Sequence, residues 1–211
     1  MKATRILKTL LIAAGFVAQG VFAQVNLREG QDYLTLSPAV PTENKAKIEV
    51  TEYFSYACIH CKDFHPLISK WAEKLPADVV LRRVALPGRA FYTLTSKAYY
   101  TLEALGETKR LDAAMFAAAN ANPQGFTDEK SLFAWVGKQG LDEKKFAEAF
   151  KSFAVDSKVR QADKLAAAAK ISNTPSIVVD GRYLVRNPKT FPDLLAKTDW
   201  LVAKRRAERR K

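Results

Sequence analysis

Between Lys47 and Tyr56, the apolar residues Ile48, Val50 and Phe54 alternate with Glu49, Thr51, Tyr53 and Ser55. A period of two in a β-branched and aromatic stretch predicts a strand. The pattern breaks at Ala57-Cys58, and Phe64, Leu67, Ile68, Trp71 and Leu75 then recur at helical spacing, with Pro66 expected to kink the helix. Val79 to Leu86 reads as a second strand, closed by Pro87-Gly88. A run of helices follows: Thr95 to Leu105 ending at Gly106, Arg110 to Ala119, one from Thr127 to near Gly140, one opening at Asp142, and Ala-rich Asp156 to Lys170. Ser176 to Val179 and Arg182 to Val185 are short strands joined by Asp180-Gly181, a strong hairpin signal. Phe191 to Lys204 is a final amphipathic helix carrying Leu194, Leu195, Trp200 and Leu201.

This order is a βαβ unit and a ββα unit separated by a helical block at about residues 93–170. It predicts an α/β domain over 24–203, with one mixed sheet, helices on both faces and an inserted helical subdomain.

The first 23 residues stand apart. Lys2, Arg5 and Lys8 form a basic start, Leu10 to Val17 an apolar run, and Val21-Phe22-Ala23 precedes Gln24 as a cleavage site does. This is the pattern of a secretory signal peptide, and the run is too short and too interrupted for a spanning helix of about 20 residues. The expectation is an exported, periplasmic protein. Of the formal net charge of +12, the leader contributes three basic residues and no acid. Lys204 to Lys211 contribute six basic groups and one Glu, leaving the body only mildly basic. An exported protein rarely meets nucleic acid, so this basic tail reads as a frayed, solvated helix end rather than a nucleic-acid or anionic-membrane contact.

The chain has two cysteines, three residues apart. A lone structural disulfide in an oxidising compartment normally closes a long loop, and this one closes almost nothing, so chemistry is the better reason for the pair. Cys58-Ile59-His60-Cys61 sits where the first strand gives way to a helix. That spacing puts both sulfurs on one helical face, and the position puts Cys58 at unpaired N–H groups that favour a thiolate. Cys58 is therefore the expected nucleophile, and Cys61, one turn deeper, the resolving thiol. His60 either tunes the Cys58 thiolate or is a solvated turn residue; His65 reads as an ordinary histidine. Zinc is excluded because the two cysteines and two histidines sit on one short helix and cannot wrap tetrahedrally around a metal, and haem by Lys62 standing where a His would follow the second Cys, so no metal or cofactor is called for. Glu52 has the same strand phase as Ile48, Val50 and Phe54, which sends a carboxylate inward. It is either a proton acceptor for the shielded thiol or a strand-end carboxylate paired with Arg82 or Arg83. Thr174-Pro175 marks the start of a strand.

Taken together, Glu52-Tyr53-Phe54-Ser55-Tyr56-Ala57-Cys58-Ile59-His60-Cys61 and the distant Thr174-Pro175 resemble the bacterial periplasmic DsbA-type disulfide oxidoreductases. The likeness runs from about Leu27 to Trp200 and includes Glu29-Gly30-Gln31-Asp32-Tyr33. The resemblance implies a thioredoxin fold with an inserted helical subdomain, and a monomer. It implies that Pro175 is cis against the cysteine pair, that the Thr174 backbone holds an extended substrate peptide, and that Glu52 has a proton-handling role. It also implies donation of the disulfide to newly exported proteins and reoxidation by a DsbB-type inner-membrane partner linked to quinone. Two departures stand out: Ile59 occupies a position where the best-known members have Pro, and Leu81, Arg82 and Arg83 stand where a Lys opposite Glu52 is expected. A reductase or isomerase, and a peptide-binding holdase with a structural bridge, are the competing readings.

Overall fold

The computed structural model describes residues 26–88, 90–121, 126 and 128–210. The expected signal peptide, its cleavage site and the Thr127 helix start lie outside the described residues. Five strands, β1 (Tyr33–Thr35), β2 (Ile48–Phe54), β3 (Val79–Ala85), β4 (Ser176–Val179) and β5 (Tyr183–Val185), form one sheet in the order β1-β5-β4-β2-β3. β2 and β3 run parallel, joined by helix α1 (Ile59–Ala72); the β2–β4, β4–β5 and β1–β5 pairs are antiparallel. Helices α2 (Ala90–Ala104), α3 (Thr108–Ala121), α4 (Glu129–Lys138), α5 (Glu143–Phe150) and α6 (Phe153–Ala168) lie between β3 and β4, and α7 (Phe191–Arg209) closes the chain.

All seven residues of β2 are buried, because helices cover both faces of the sheet. Ile48 and Val50 pack with Phe64 and Ile68 of α1, Ile177 and Val179 of β4, and Leu194 and Leu201 of α7. Phe54 instead belongs to the core shared with the helical insertion, stacking edge-on against Tyr99 of α2 and tilted against Phe116 of α3. The polar partners in the alternation are therefore buried too, and each needs a hydrogen bond. Glu49 accepts from the backbone N–H groups of Glu43 and Asn44 at 2.9 and 3.0 Å.

The Asp180-Gly181 turn has positive φ at both residues, 53° and 62°, as a two-residue hairpin of this hand requires. Where Thr127 was expected to start a helix, Asp128 caps α4 with a reciprocal side-chain bond to Ser131. Pro66 lies inside α1, which continues through it to Ala72. β1 is an element the alternation did not announce.

The tail expectation is overturned. α7 runs on to Arg209, and its basic residues are paired rather than solvated. Asp180, buried at the hairpin tip, takes Arg205 at 2.7 Å and Arg209 at 2.6 Å, while Arg206 pairs with Asp78 at 2.6 Å. Among the described residues no helix is long and apolar enough to cross a membrane.

Candidate active site

β2 delivers the chain to the carboxyl end of the sheet, where Ser55 and Tyr56 are still buried and Cys58 ends the extended segment as the N-cap of α1. In a helix N-cap a side-chain acceptor meets the first free N–H groups. Here that acceptor is sulfur: the Cys61 N–H donates to Cys58 Sγ at 3.3 Å, and the Lys62 N–H to the Cys58 carbonyl at 3.0 Å. Cys58 is half-buried, whereas Cys61 is fully buried beneath it; both are thiols.

The two sulfurs differ in acidity for reasons of position. The Cys58 thiol is lowered to about 5, first by the hydrogen bond from the Cys61 thiol. Partial burial opposes this, while Thr174 and the backbone N–H groups of Cys61 and His60 add to it. Cys61 moves in the other direction, because burial and the adjacent Cys58 sulfur both disfavour a second thiolate. One sulfur is thus preset as thiolate and its neighbour as thiol. The His60 ring is exposed, and its backbone N–H rather than its imidazole acts on Cys58.

The loop before β4 supplies the other wall. Thr174-Pro175 is a cis peptide, and the Thr174 carbonyl lies 3.5 Å from Cys58 Sγ. Beside it a groove of about 400 Å³ is lined by Ser55, Leu86, Tyr92, Ile171 and Thr174. Ile59, about half exposed, flanks the nucleophile with a further apolar surface.

Glu52 lies deeper, fully buried on β2 and in register with Arg83 on β3. Arg83 Nε is 2.9 Å from Glu52 Oε2, an ion contact without the alignment of a hydrogen bond. Of the two arginines left open by the sequence, Arg83 is the partner of Glu52; Arg82 pairs with Glu43 and Glu49. Burial raises the Glu52 carboxyl to about 7, with Arg83 acting against the rise. Two residues escaped the sequence reading. Asp112 of α3 takes Arg83 Nη1 at 2.9 Å, and Tyr56 donates its hydroxyl to the same carboxylate. The available signal was a charge on the apolar face of α3, one and two turns before Met115, Phe116 and Ala119. His65 is half-buried against Phe116, with a centroid separation of 4.9 Å, and burial lowers it to about 4. Among the described residues no three His, Cys, Asp or Glu side chains gather as a metal site does.

A dithiol capping the helix that leaves the buried strand β2, faced by a cis-proline loop, defines a thiol–disulfide oxidoreductase of thioredoxin type. The inserted block of helices narrows the class, and comparison with known proteins agrees with it. The chain belongs to the DSBA-like thioredoxin domain family, whose profile matches residues 49–196. It is 38% identical over 176 residues to the thiol:disulfide interchange protein DsbA of Bordetella parapertussis, covering 83% of this chain and 84% of that one. The crystal structure of Pseudomonas aeruginosa DsbA superposes with a TM-score of 0.83 at 32% identity, over 88% of this chain and 97% of that structure. Oxidoreductase DsbA from Xylella fastidiosa gives 0.77 at 30% identity, over 84% and 97%. The chain is a DsbA-type disulfide oxidoreductase with the Cys58–Cys61 pair as its redox dithiol.

Proposed function

We propose that the protein donates a Cys58–Cys61 disulfide to newly exported proteins in the periplasm, through a mixed disulfide at Cys58. The observation that carries this reading is the opposed acidity of the two sulfurs: Cys58 is lowered to about 5 while burial pushes Cys61 up. A substrate thiolate attacks Cys58 Sγ; the Cys58–Cys61 bond breaks, and Cys61 departs with the electron pair. Being buried, Cys61 must take a proton, and Glu52 supplies it. A second substrate thiolate then attacks the substrate sulfur of the mixed disulfide, and Cys58 leaves as the thiolate its helix N-terminus favours. The substrate gains a disulfide and the protein becomes a dithiol. Reoxidation by a DsbB-type membrane partner linked to quinone runs the exchange in reverse, with Glu52 accepting the Cys61 proton.

In this reading Thr174 and Pro175 present an extended substrate to Cys58, and the groove beside Leu86, Tyr92 and Ile171 takes an apolar substrate side chain. His60 contributes its backbone N–H and an exposed ring that a bound substrate covers. The protein acts as a monomer.

The test is trapping in cells. Cys61→Ser removes the thiol that resolves the mixed disulfide in cis, so covalent adducts through Cys58 accumulate on a non-reducing gel. Pro175→Thr restores an N–H beside the sulfurs and traps adducts with both cysteines intact. If Cys61→Ser yields no adducts, or Cys58→Ser keeps full activity, the oxidase reading gives way to a holdase.

A further inference from the structure

The proposed mechanism uses Glu52 and leaves Asp112 without a task. Asp112 sits on α3, in the inserted helices, yet it is buried and reaches the same guanidinium as Glu52. Arg83 is fully engaged: Nε faces Glu52, Nη1 faces Asp112, and Nη2 donates to Ser69 Oγ of α1 at 3.1 Å. Two carboxylates therefore share one cation in a buried space. With both ionised the cluster would carry an uncompensated negative charge, so it holds on to one proton. The same helix grips the polypeptide next to the nucleophile. Asp112 accepts from the Tyr56 hydroxyl, and Asn120 Nδ2 donates to the Tyr56 carbonyl at 2.7 Å, two residues before Cys58.

We propose that Asp112 is a positioning residue for the thiol chemistry: by occupying one edge of the Arg83 guanidinium, it keeps a proton on Glu52 at neutral pH. Glu52 is thereby loaded as donor to Cys61 when the disulfide opens. The inference rests on the proton role given to Glu52 above.

The groups around Glu52 fix the direction of the effect. Arg83 on β3 is the cation that favours its ionised form, and Asp112 on α3 opposes it. α1 contributes His65, held neutral by burial beside Arg83. From the turn after β2 comes Tyr56, a neutral phenol, and from α2 come Tyr99, also a neutral phenol, and Glu103, which acts on Asp112. From β4 the register partner of Glu52 is Ile177, which brings no charge. Removing the Asp112 charge thus releases Arg83 to Glu52 and makes Glu52 lose its proton at lower pH. A groove of about 1060 Å³, lined by His65, Ser69, Arg83 and Asp112, opens this cluster to solvent on the α1–α3 side.

The experiment follows reduction of the oxidised protein by reduced glutathione from pH 5 to 9, by rapid quench and alkylation. Rates are corrected for the thiolate fraction of glutathione. In the wild type the corrected rate falls above about pH 7, where Glu52 has lost its proton. Asp112→Asn, isosteric and still able to accept from Tyr56, moves that fall about one pH unit toward acid, roughly a fivefold loss at pH 7 approaching tenfold by pH 8, with none at pH 5. Asp112→Glu restores the wild-type profile. Glu52→Gln abolishes the fall, and the double variant behaves as Glu52→Gln alone. Should Asp112→Asn fold poorly, Tyr56→Phe gives the same acid displacement in smaller measure, because Asp112 then holds its own proton more readily. A profile for Asp112→Asn that coincides with wild type, or is scaled equally at every pH, overturns the inference. A Glu52→Gln protein that keeps the wild-type fall overturns the Glu52 reading itself.

Discussion

Glu52→Gln makes the cost of burying the carboxylate measurable as stability. Its carboxyl rises from 4.5 to about 7 in the fold, with burial the first cause. A raised value means that the folded protein binds more protons than the unfolded chain between those two pH values. Stability is therefore greatest below about pH 4.5 and is lost as pH rises through about 7. A displacement of that size corresponds to about 3 kcal/mol, an order-of-magnitude figure at 1.36 kcal/mol for each unit. Gln keeps the shape, leaves Arg83 paired with Asp112, and removes the titration. The assay is urea unfolding from pH 4.5 to 8.5 in a Cys58→Ser, Cys61→Ser background. Those substitutions matter because Cys58, lowered to about 5, imposes the opposite slope: its contribution is present at high pH and lost as pH falls through about 5. The variant should gain about 3 kcal/mol on its parent between the ends of the series, with most of the change complete by pH 8. A stability difference constant with pH to within about 0.5 kcal/mol would refute the buried, proton-holding carboxylate.

In the reduced protein, thiolate absorbance should rise with a midpoint near 5; a midpoint above 8, close to a free thiol, would contradict the N-cap geometry. Cys61→Ala should raise that midpoint more than His60→Ala, since the Cys61 thiol is the first cause of the shift and the His60 ring is exposed. At pH 7 the reduced form should resist urea better than the oxidised form, because folding stabilises a thiolate that the disulfide lacks; the reverse order would indicate a structural bridge. Gly181→Ala should cost more than about 1 kcal/mol, because a Cβ there would meet the Val40 carbonyl oxygen at 2.0 Å at φ +62°; an unchanged urea midpoint would contradict this.

Local chemistry is what made much of this structure readable. β2, β3 and β4 are long apolar or alternating runs, and their bounds fall within two residues of the pattern. Asp180-Gly181 specifies its turn without help from distant residues, and Cys58 to Cys61 carries both spacing and position in four letters. What escaped depends on pairings between remote segments. β1 is three residues long and exists because Tyr33 to Thr35 meet Val185 to Tyr183. The end of α6 is marked by Lys170 at φ 56°, a left-handed residue that no glycine announces in the sequence. The α7 tail reads as solvated until Asp180, more than twenty residues earlier, is seen to neutralise Arg205 and Arg209. Glu52 was visible as a carboxylate on an inward phase, but Asp112 lies sixty residues away on an inserted helix. Only the fold brings both to Arg83.

The central claim is that Cys58 and Cys61 form an oxidising dithiol, and equilibrium with glutathione tests it most directly. The purified protein is incubated at pH 7 across ratios of reduced to oxidised glutathione, quenched, alkylated and weighed by mass spectrometry. A preset Cys58 thiolate favours the reduced form, so half-reduction should occur at a potential less negative than about −200 mV, more oxidising than the glutathione couple of the cytosol. A midpoint at about −270 mV or lower, the range of reducing dithiols and structural bridges, would contradict it.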